Sequence, residues 1–217
     1  MKKLFKKFIP IIVFASCLIT LGNAFGIEEK TGNTYAFQFG YTFNNETSLP
    51  DNTTQAITSN GKSTGFAFAL INGYEIFFTP MHGLKISLDT GFQYLSANNN
   101  TLSMIYKKQE YLFDFSLNLD YRIDFYHSGN WDIGAFGGGG YGYSIDYLNN
   151  TPTTNALYED FVFSEVIFAG GYNLQAGFIF TNKNKTQLEI NIKYKNRSSK
   201  QADISNLATY ASIGWKF

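Results

Sequence analysis

The chain has 217 residues, a length suited to one domain with a sizeable interior or to a single barrel. Aromatic residues make up 18% of it against 16% charged residues, and 20 glycines stand beside 4 prolines, which favours a β-rich protein over a helical bundle. The formal net charge is zero and no basic run follows the N-terminal lysines, so the composition gives no reason to expect a nucleic-acid partner.

The N-terminus has the pattern of a secretory signal peptide. Four lysines between positions 2 and 7 precede the apolar run FIPIIVFASCLITLG, and the small residues that follow predict cleavage after Ala24. The chain then divides into a signal peptide, residues 1–24, and one barrel domain, residues 25–217. Cleavage would leave 13 basic and 17 acidic side chains, a net charge of −4.

Two alternatives exist for this N-terminal segment. A transmembrane anchor is disfavoured because the apolar run falls short of the roughly 18–20 residues that span a bilayer, and because it contains Pro10. Acylation at Cys17 is disfavoured because Phe14 fits the acylation motif poorly. Since Cys17 is the single cysteine, its removal would exclude disulfides and cysteine metal sites from the exported chain.

The first three predicted strands differ in clarity. The segment TYAFQFGYTF places aromatic residues at alternate positions, which is typical of a strand with one apolar face. The segment TGFAFALINGYEIFF (64–78) is apolar throughout, so the sequence does not determine which of its side chains share a face. The segment LKISLDTGFQYL alternates again, with Lys85 and Asp89 on its polar face.

The segment EYLFDFSLNLDYRIDF gives the clearest strand signal. Its apolar residues alternate without exception from Tyr111 to Phe125, and Asp114, Asp120 and Arg122 lie on the opposite face. Aromatic residues concentrate at the two ends and leucines in the middle. This order is expected when a strand crosses a bilayer between two interfacial aromatic girdles.

Four further segments complete a predicted set of eight strands. They are WDIGAFGGGGYGYSIDY, FVFSEVIFAGGYNLQAGFIF, TQLEINIKYKNR and ATYASIGWKF. Glu189 and Lys193 lie on the polar face of the seventh segment. The eighth segment ends at Phe217, with Trp215 and Ile213 on the same face.

The predicted connections alternate in length. Long polar loops are predicted at 44–63, 96–109, 148–160 and 198–206. Short turns are predicted at 79–83, 126–130 and 182–185. Antiparallel strands whose long loops all lie at one end describe an all-β, eight-stranded up-and-down transmembrane barrel.

The alternation alone does not decide which face points outward, since a soluble lipocalin-like barrel alternates with its apolar face inward. The polar face here mixes charges with small residues, which suits a narrow lumen better than a solvated exterior. The strands also reach the roughly 9–11 tilted residues that cross a membrane. We therefore expect the apolar face to contact lipid.

Ten charged residues are expected to point into the barrel. They are Lys85, Asp89, Asp114, Asp120, Arg122, Asp124, Asp132, Glu189, Lys193 and Lys195. Eight strands leave an interior about filled by side chains, and buried charges must pair there. One interpretation is a salt-bridge network that plugs the lumen; the alternative is a gated narrow pore.

Neither the histidines nor the glycine run predicts a catalytic, metal or cofactor site. His82 and His127 fall in short turns and lack acidic or cysteine companions at metal-ligand spacing. The run GAFGGGGYGYS has the spacing of a dinucleotide fingerprint, but a strand follows it where that motif needs a helix. We expect these glycines to make room inside the lumen instead.

On these features the chain resembles the small outer-membrane β-barrel proteins of Gram-negative bacteria, the OmpA/OmpX-like and opacity-type superfamily. The resemblance covers the signal peptide, the eight alternating strands and a terminal strand ending in an aromatic residue. It implies that Ile213, Trp215 and Phe217 form the signal read by the outer-membrane assembly machinery. Ser212 departs from the pattern, since a glycine often stands there.

The resemblance is poorly specific for function. It implies an integral outer-membrane location with both termini in the periplasm, and contacts with outer-membrane lipid and lipopolysaccharide. The leading hypothesis is a non-enzymatic surface protein that supports envelope integrity or adhesion through its loops, whose host or surface ligand the sequence does not name. The alternative is a narrow channel for small solutes or hydrophobic molecules.

Overall fold

Eight strands account for most of the chain. The computed structural model describes residues 30–48, 61–101, 104–152, 163–199 and 202–217. The strands are β1 (Gly32–Ser48), β2 (Gly61–Phe77), β3 (His82–Thr101), β4 (Met104–Ser128), β5 (Trp131–Pro152), β6 (Phe163–Asn182), β7 (Thr186–Ser198) and β8 (Ala202–Lys216). Within these ranges no helix is long and apolar enough to cross a membrane.

Each strand pairs antiparallel with the next, and β8 returns to pair with β1. The sheet is therefore a closed barrel without edges, in which neighbouring strands satisfy each other's backbone groups. This confirms the predicted eight-stranded up-and-down topology.

The two ends of the barrel differ. The connections after β2, β4 and β6 are short and lie at the same end as Gly32 and Phe217, and we call this the turn end. The β4–β5 hairpin needs only two connecting residues, and Gly129 has a φ of 55°, a conformation that glycine adopts without steric cost. The opposite end, where β1 leads to β2 and β3 to β4, is the loop end.

The strands extend further at the loop end than the sequence predicted. The loop predicted at 96–109 is wrong for most of its length, because β3 continues to Thr101 and β4 begins at Met104. The loop predicted at 198–206 is likewise replaced by β8 from Ala202. The loop at 96–109 was predicted because Asn and Ser dominate the start of the segment, but an antiparallel backbone ladder does not need an alternating apolar face to continue. Residues 49–60 and 153–162 of the other two predicted loops lie outside the described residues.

Side chains alternate between an outer apolar face and a buried polar face. On β1, Phe37 and Phe39 are 58% and 51% exposed, whereas Gln38 between them is buried. Aromatic pairs occur towards both ends of the outer face: Tyr35 with Phe217 at the turn end, and Tyr94 with Tyr111 at the loop end. The apolar-out arrangement expected from the sequence is thus the one observed.

The structure settles the facing of β2, which the sequence left open. Phe66, Phe68 and Leu70 lie on the outer face, about half exposed. Ile71 and Glu75 lie on the buried face. The strand therefore contributes the Glu75 carboxylate to the interior, which could not be deduced from its apolar sequence.

The glycine run of β5 makes room for polar side chains of β4. Gly138 and Gly140 face inward, and a Cβ atom at either position would collide with a side-chain oxygen of Asp120 or Asn118. Phe136, on the same face, is itself partly buried. The glycines serve the packing of the interior, as predicted, and the strand continues past them to Pro152.

Candidate functional site

The interior of the barrel is the candidate site, because it gathers most of the buried charge. Of the ten charged residues expected to point inward, nine are buried. The tenth, Asp132, is partly exposed at the start of β5. Their side chains form layers between the two ends of the barrel.

The layer nearest the turn end is organised around Glu75. Arg122 Nη1 lies 3.1 Å from Glu75 Oε2, and the Lys216 ammonium contacts the same oxygen. Gln187 donates a further hydrogen bond to Glu75 over 3.3 Å, and Arg122 Nε donates to Asp124 over 2.8 Å. Four strands, β2, β4, β7 and β8, are thereby joined across the lumen.

A buried aromatic ring closes this layer. Phe77 is 1% exposed and faces inward, towards cations rather than lipid. The charged groups of Lys216, Arg122 and Lys30 lie 4.8, 5.1 and 5.5 Å from its ring centroid. The negative face of a π-system attracts such cations, so the ring holds positive charge within the lumen.

The middle layer joins β3 to β7, which lie on opposite sides of the barrel. Lys85 Nζ lies 3.0 Å from Glu189 Oε1, and Lys193 forms an ion pair with Asp89. Asp120 accepts hydrogen bonds of 2.7 Å from Gln175 on β6. Two ion pairs therefore cross the full width of the lumen at this level.

The next layer is organised around Asp114 on β4. Its carboxylate lies 3.2 Å from Lys195 Nζ and 3.3 Å from Arg197 Nη2. Arg197 also donates to the carbonyl oxygens of Gly171 and Tyr172, each over 2.9 Å. The β6–β7 ladder is interrupted there, between the Gly170–Ser198 and Asn173–Lys195 pairs, so the guanidinium joins β7 to β6 at the interruption.

Between Asp114 and the loop end, the interior contains both polar and apolar side chains. Glu110 accepts hydrogen bonds from Asn44 and from Ser63, over 2.5 and 2.9 Å. Apolar side chains face inward beside these groups: Leu95, Leu112, Ile167, Ala169 and Ile204. The lumen is thus filled by ion pairs from the turn end to its middle, and by mixed polar and apolar side chains near the loop end.

Sequence reasoning missed several members of this network. Glu75 was hidden in an apolar segment whose facing was ambiguous, and Lys216 lies in the terminal strand, which was interpreted for its aromatic face. Arg197 lies at the end of the seventh segment, next to a predicted loop. Alternate residues of a strand share a face, so extending the polar face of β7 by two residues from Lys195 would have found Arg197.

The three residues predicted as an assembly signal lie on the outer face at the turn end. Ile213, Trp215 and Phe217 are all exposed, and Trp215 contacts Phe37 with its ring centroid 6.4 Å away. Ser212 faces inward and donates a hydrogen bond to Glu189 over 3.4 Å. Their role as a signal stays a prediction.

Both histidines lie at the turn end. His82 Nδ1 is 2.7 Å from the hydroxyl oxygen of Tyr121, and its ring stacks beside Phe78. His127 is 70% exposed by its side chain and contacts Asp132. Among the described residues, no group of three or more His, Cys, Asp or Glu side chains is placed to hold a metal ion.

Comparisons with known proteins identify the fold. No protein-family model and no curated protein sequence matches the chain. Among solved structures, the outer membrane protein OprG from Pseudomonas aeruginosa matches with a TM-score of 0.51 and 11% identity, over 86% of this chain and 97% of that one. At this identity the match shows a shared fold, that of a small outer-membrane β-barrel, and it confirms the predicted resemblance at the level of the fold.

Two further structures match less closely. Neisserial surface protein A has a TM-score of 0.45 and 13% identity, over 84% of this chain and 97% of that chain. The attachment invasion locus protein Ail of Yersinia pestis has a TM-score of 0.37 and 11% identity, over 85% of this chain and 99% of that chain.

Proposed function

We propose that the protein is an integral outer-membrane protein whose plugged barrel is a non-enzymatic scaffold, with both termini in the periplasm. The scaffold would support envelope integrity, or contacts at the cell surface, through the loops at its loop end. The single observation that carries the proposal is the set of ion pairs that cross the lumen, since these charges occupy the space that a permeant solute would need.

The outer face supports the membrane location. Its exposed side chains are predominantly large and apolar, including Phe68, Leu119, Ile190 and Phe178. Contiguous exposed apolar surface of this kind is unfavourable in water and favourable in hydrocarbon. A groove of about 790 Å³ on this face, lined by Phe37, Phe39 and neighbouring side chains, is also almost wholly apolar.

The arrangement of the charges supports a plug. Lys85, Glu189, Lys193 and Asp89 are each less than 10% exposed and pair across the lumen. Opening a passage through this layer would separate buried charges from their partners, and a charge left without a partner in a low-dielectric site is very costly. A solute would therefore need coordinated partner exchange at several levels.

A planar-bilayer recording of the purified protein tests the plug. We expect no reproducible single-channel conductance at matched protein incorporation. The matched control is a variant in which Lys193 and Asp89 are both replaced by serine, which shortens two side chains of the middle layer without leaving a lone charge. Reproducible steps from the unaltered protein would overturn the plug.

The loops require a separate test in cells. Replacing residues 49–60 and 153–162 by short Gly-Ser linkers should change adhesion, serum sensitivity or envelope permeability, while the barrel still assembles. Unchanged values of all three, with the variant correctly inserted, would count against a role carried by the loops.

One observation favours the alternative, a narrow channel. Gln38 on β1 and Asn191 on β7 are buried, and neither side-chain amide has a hydrogen-bond partner among the described residues. Buried amides of this kind are commonly satisfied by ordered water. A hydrated lumen around them would suit conduction of small polar solutes, and the same bilayer recording separates the two functions.

A further inference from the structure

The two residues that precede β1, Lys30 and Thr31, lie at the turn-end mouth of the barrel. Lys30 lies two residues before β1, whose ladder neighbours are β2 and β8. Its ammonium nevertheless lies 2.9 Å from Asp124 on β4 and 3.0 Å from Asp132 on β5. Because β4 and β5 are on the far side of the ring of strands, the lysine side chain must reach across the mouth.

The same segment is fastened on the near side. The backbone N–H of Phe77 on β2 donates to Thr31 Oγ1 over 3.1 Å. The ammonium of Lys216 on β8 donates to the carbonyl oxygen of Lys30. Lys30 and Thr31 are thus attached to four strands, two on each side of the opening.

The charges around Lys30 hold it in place. Partial burial alone would lower the pKa of the Lys30 ammonium, but hydrogen bonds to Asp124 and Asp132, together with their charges, outweigh it and raise the pKa. The same region contains Arg122 and His127 on β4, Glu75 on β2 and Lys216 on β8. The lysine stays protonated at neutral pH.

The attachments of this segment differ from those deeper in the barrel. The β1–β2 ladder begins at Gly32, so Lys30 and Thr31 stand outside it and are held largely through side chains. The Lys30 side chain is 25% exposed, whereas those of Lys85 and Glu189 are 9% and 3% exposed. An ion pair with partly exposed members costs less to separate than a fully buried one, so the pairs of Lys30 should separate more readily than the Lys85–Glu189 pair.

We propose that Lys30 and Thr31 together form a releasable strap that closes the turn-end mouth. Separation of the Lys30 ion pairs would then admit water to the part of the lumen nearest the turn end. The proposal rests on the plugged barrel argued above and adds a device that controls access to it from the turn end. It concerns hydration of the first layer only, because the middle layer would remain plugged.

Thiol accessibility just inside the mouth tests the strap. Thr34 is 1% exposed, faces the lumen and pairs with Lys216 in the β1–β8 ladder, so Thr34→Cys places a small reporter there. Cys17, the only native cysteine, lies in the predicted signal peptide, so the reporter would be the only thiol of the exported chain. In the folded barrel, Lys30→Gln should raise the rate of modification by a small water-soluble thiol reagent by at least about tenfold, since it releases a local closure.

Three further variants show whether the faster thiol modification depends on the Lys30 ion pairs. Lys30→Arg keeps the charge and should restore slow modification. Asp132→Asn removes the ion pair between Lys30 and Asp132. It should raise the modification rate less than Lys30→Gln, because the ion pair with Asp124 remains. Lys183→Gln removes an exposed lysine from the β6–β7 turn at the same end, and should leave the rate unchanged. Circular dichroism of each variant verifies the barrel.

The outcomes separate the strap from the proposed function. An unchanged rate in Lys30→Gln would overturn the strap, and so would an equal rise in Lys183→Gln, which would show a general effect of charge. Conductance of the unaltered protein in a planar bilayer would overturn the plug instead, while the thiol rates would still decide the strap.

Discussion

The outer and inner faces of this barrel come from alternate residues of the same strands, yet they differ in almost every chemical respect. On β4 the outer face exposes Phe113, Phe115 and Leu119, and the inner face presents Asp114 and Asp120 to other strands across the lumen. A one-residue change of register would exchange these two sets. In strands such as β4, the contrast between the faces therefore excludes a one-residue slip and specifies which face points outward.

This contrast also explains why the interior is charged. A buried ion pair often contributes no more stability than well-packed apolar residues of similar volume. Apolar residues on both faces, however, would leave strands such as β2 without a preferred orientation. The polar interior thus favours a single arrangement of the strands.

The largest expected effect comes from removing one partner of a buried pair. Glu75→Ala leaves Arg122 and Lys216 without their shared carboxylate, and should lower the free energy of unfolding by about 3–5 kcal/mol. Urea unfolding in lipid vesicles measures this. The control, Gln187→Ala, removes one neutral donor to the same carboxylate and should cost about 1 kcal/mol. Equal effects of the two variants would contradict a charge-based interior.

The corresponding change on the outer face should cost somewhat less. Leu119→Arg places a cation in the middle of the apolar stretch of β4, and should destabilise the barrel by about 2–4 kcal/mol. Gln109→Arg, on the same face of the same strand near the loop end, should cost only about 0–1 kcal/mol. If the two substitutions had the same effect in vesicles, the outer face would not be embedded as proposed.

Much of this contrast could be predicted from the sequence, because alternation is a local property. The run from Tyr111 to Phe125 determined the facing of β4, and nine of the ten predicted inward charges are buried. The rule failed where alternation is absent. β2 carries apolar residues on both faces, so neither its facing nor the position of Glu75 could be deduced.

The pairing of the charges could not be predicted, because it depends on the closed shape. Lys85 and Asp120 are ladder neighbours on β3 and β4, yet Lys85 pairs with Glu189 on β7. Which strands face each other across the lumen is set by the number and stagger of the strands. The reach of Lys30 to β4 and β5 has no sequence signal for the same reason.

A smaller effect separates the two faces within one strand. Gly140 on β5 faces inward, and a Cβ atom there would meet the backbone of Leu117 and the side chain of Asn118, so Gly140→Ala should destabilise the barrel by about 1–3 kcal/mol. Gly137 faces outward with only the Gln175 carbonyl oxygen 3.9 Å from such a Cβ. Gly137→Ala should therefore be neutral or stabilise by up to about 1 kcal/mol, since alanine restricts the unfolded chain.

Both alanine variants add the same methyl group to the same glycine run, so intrinsic strand propensity cancels between them. Their difference in urea midpoint reports only the space at each face, which is occupied by packed side chains at Gly140 and is open at Gly137. A midpoint that falls equally in both variants would mean that the run is needed for backbone bending rather than for space in the lumen.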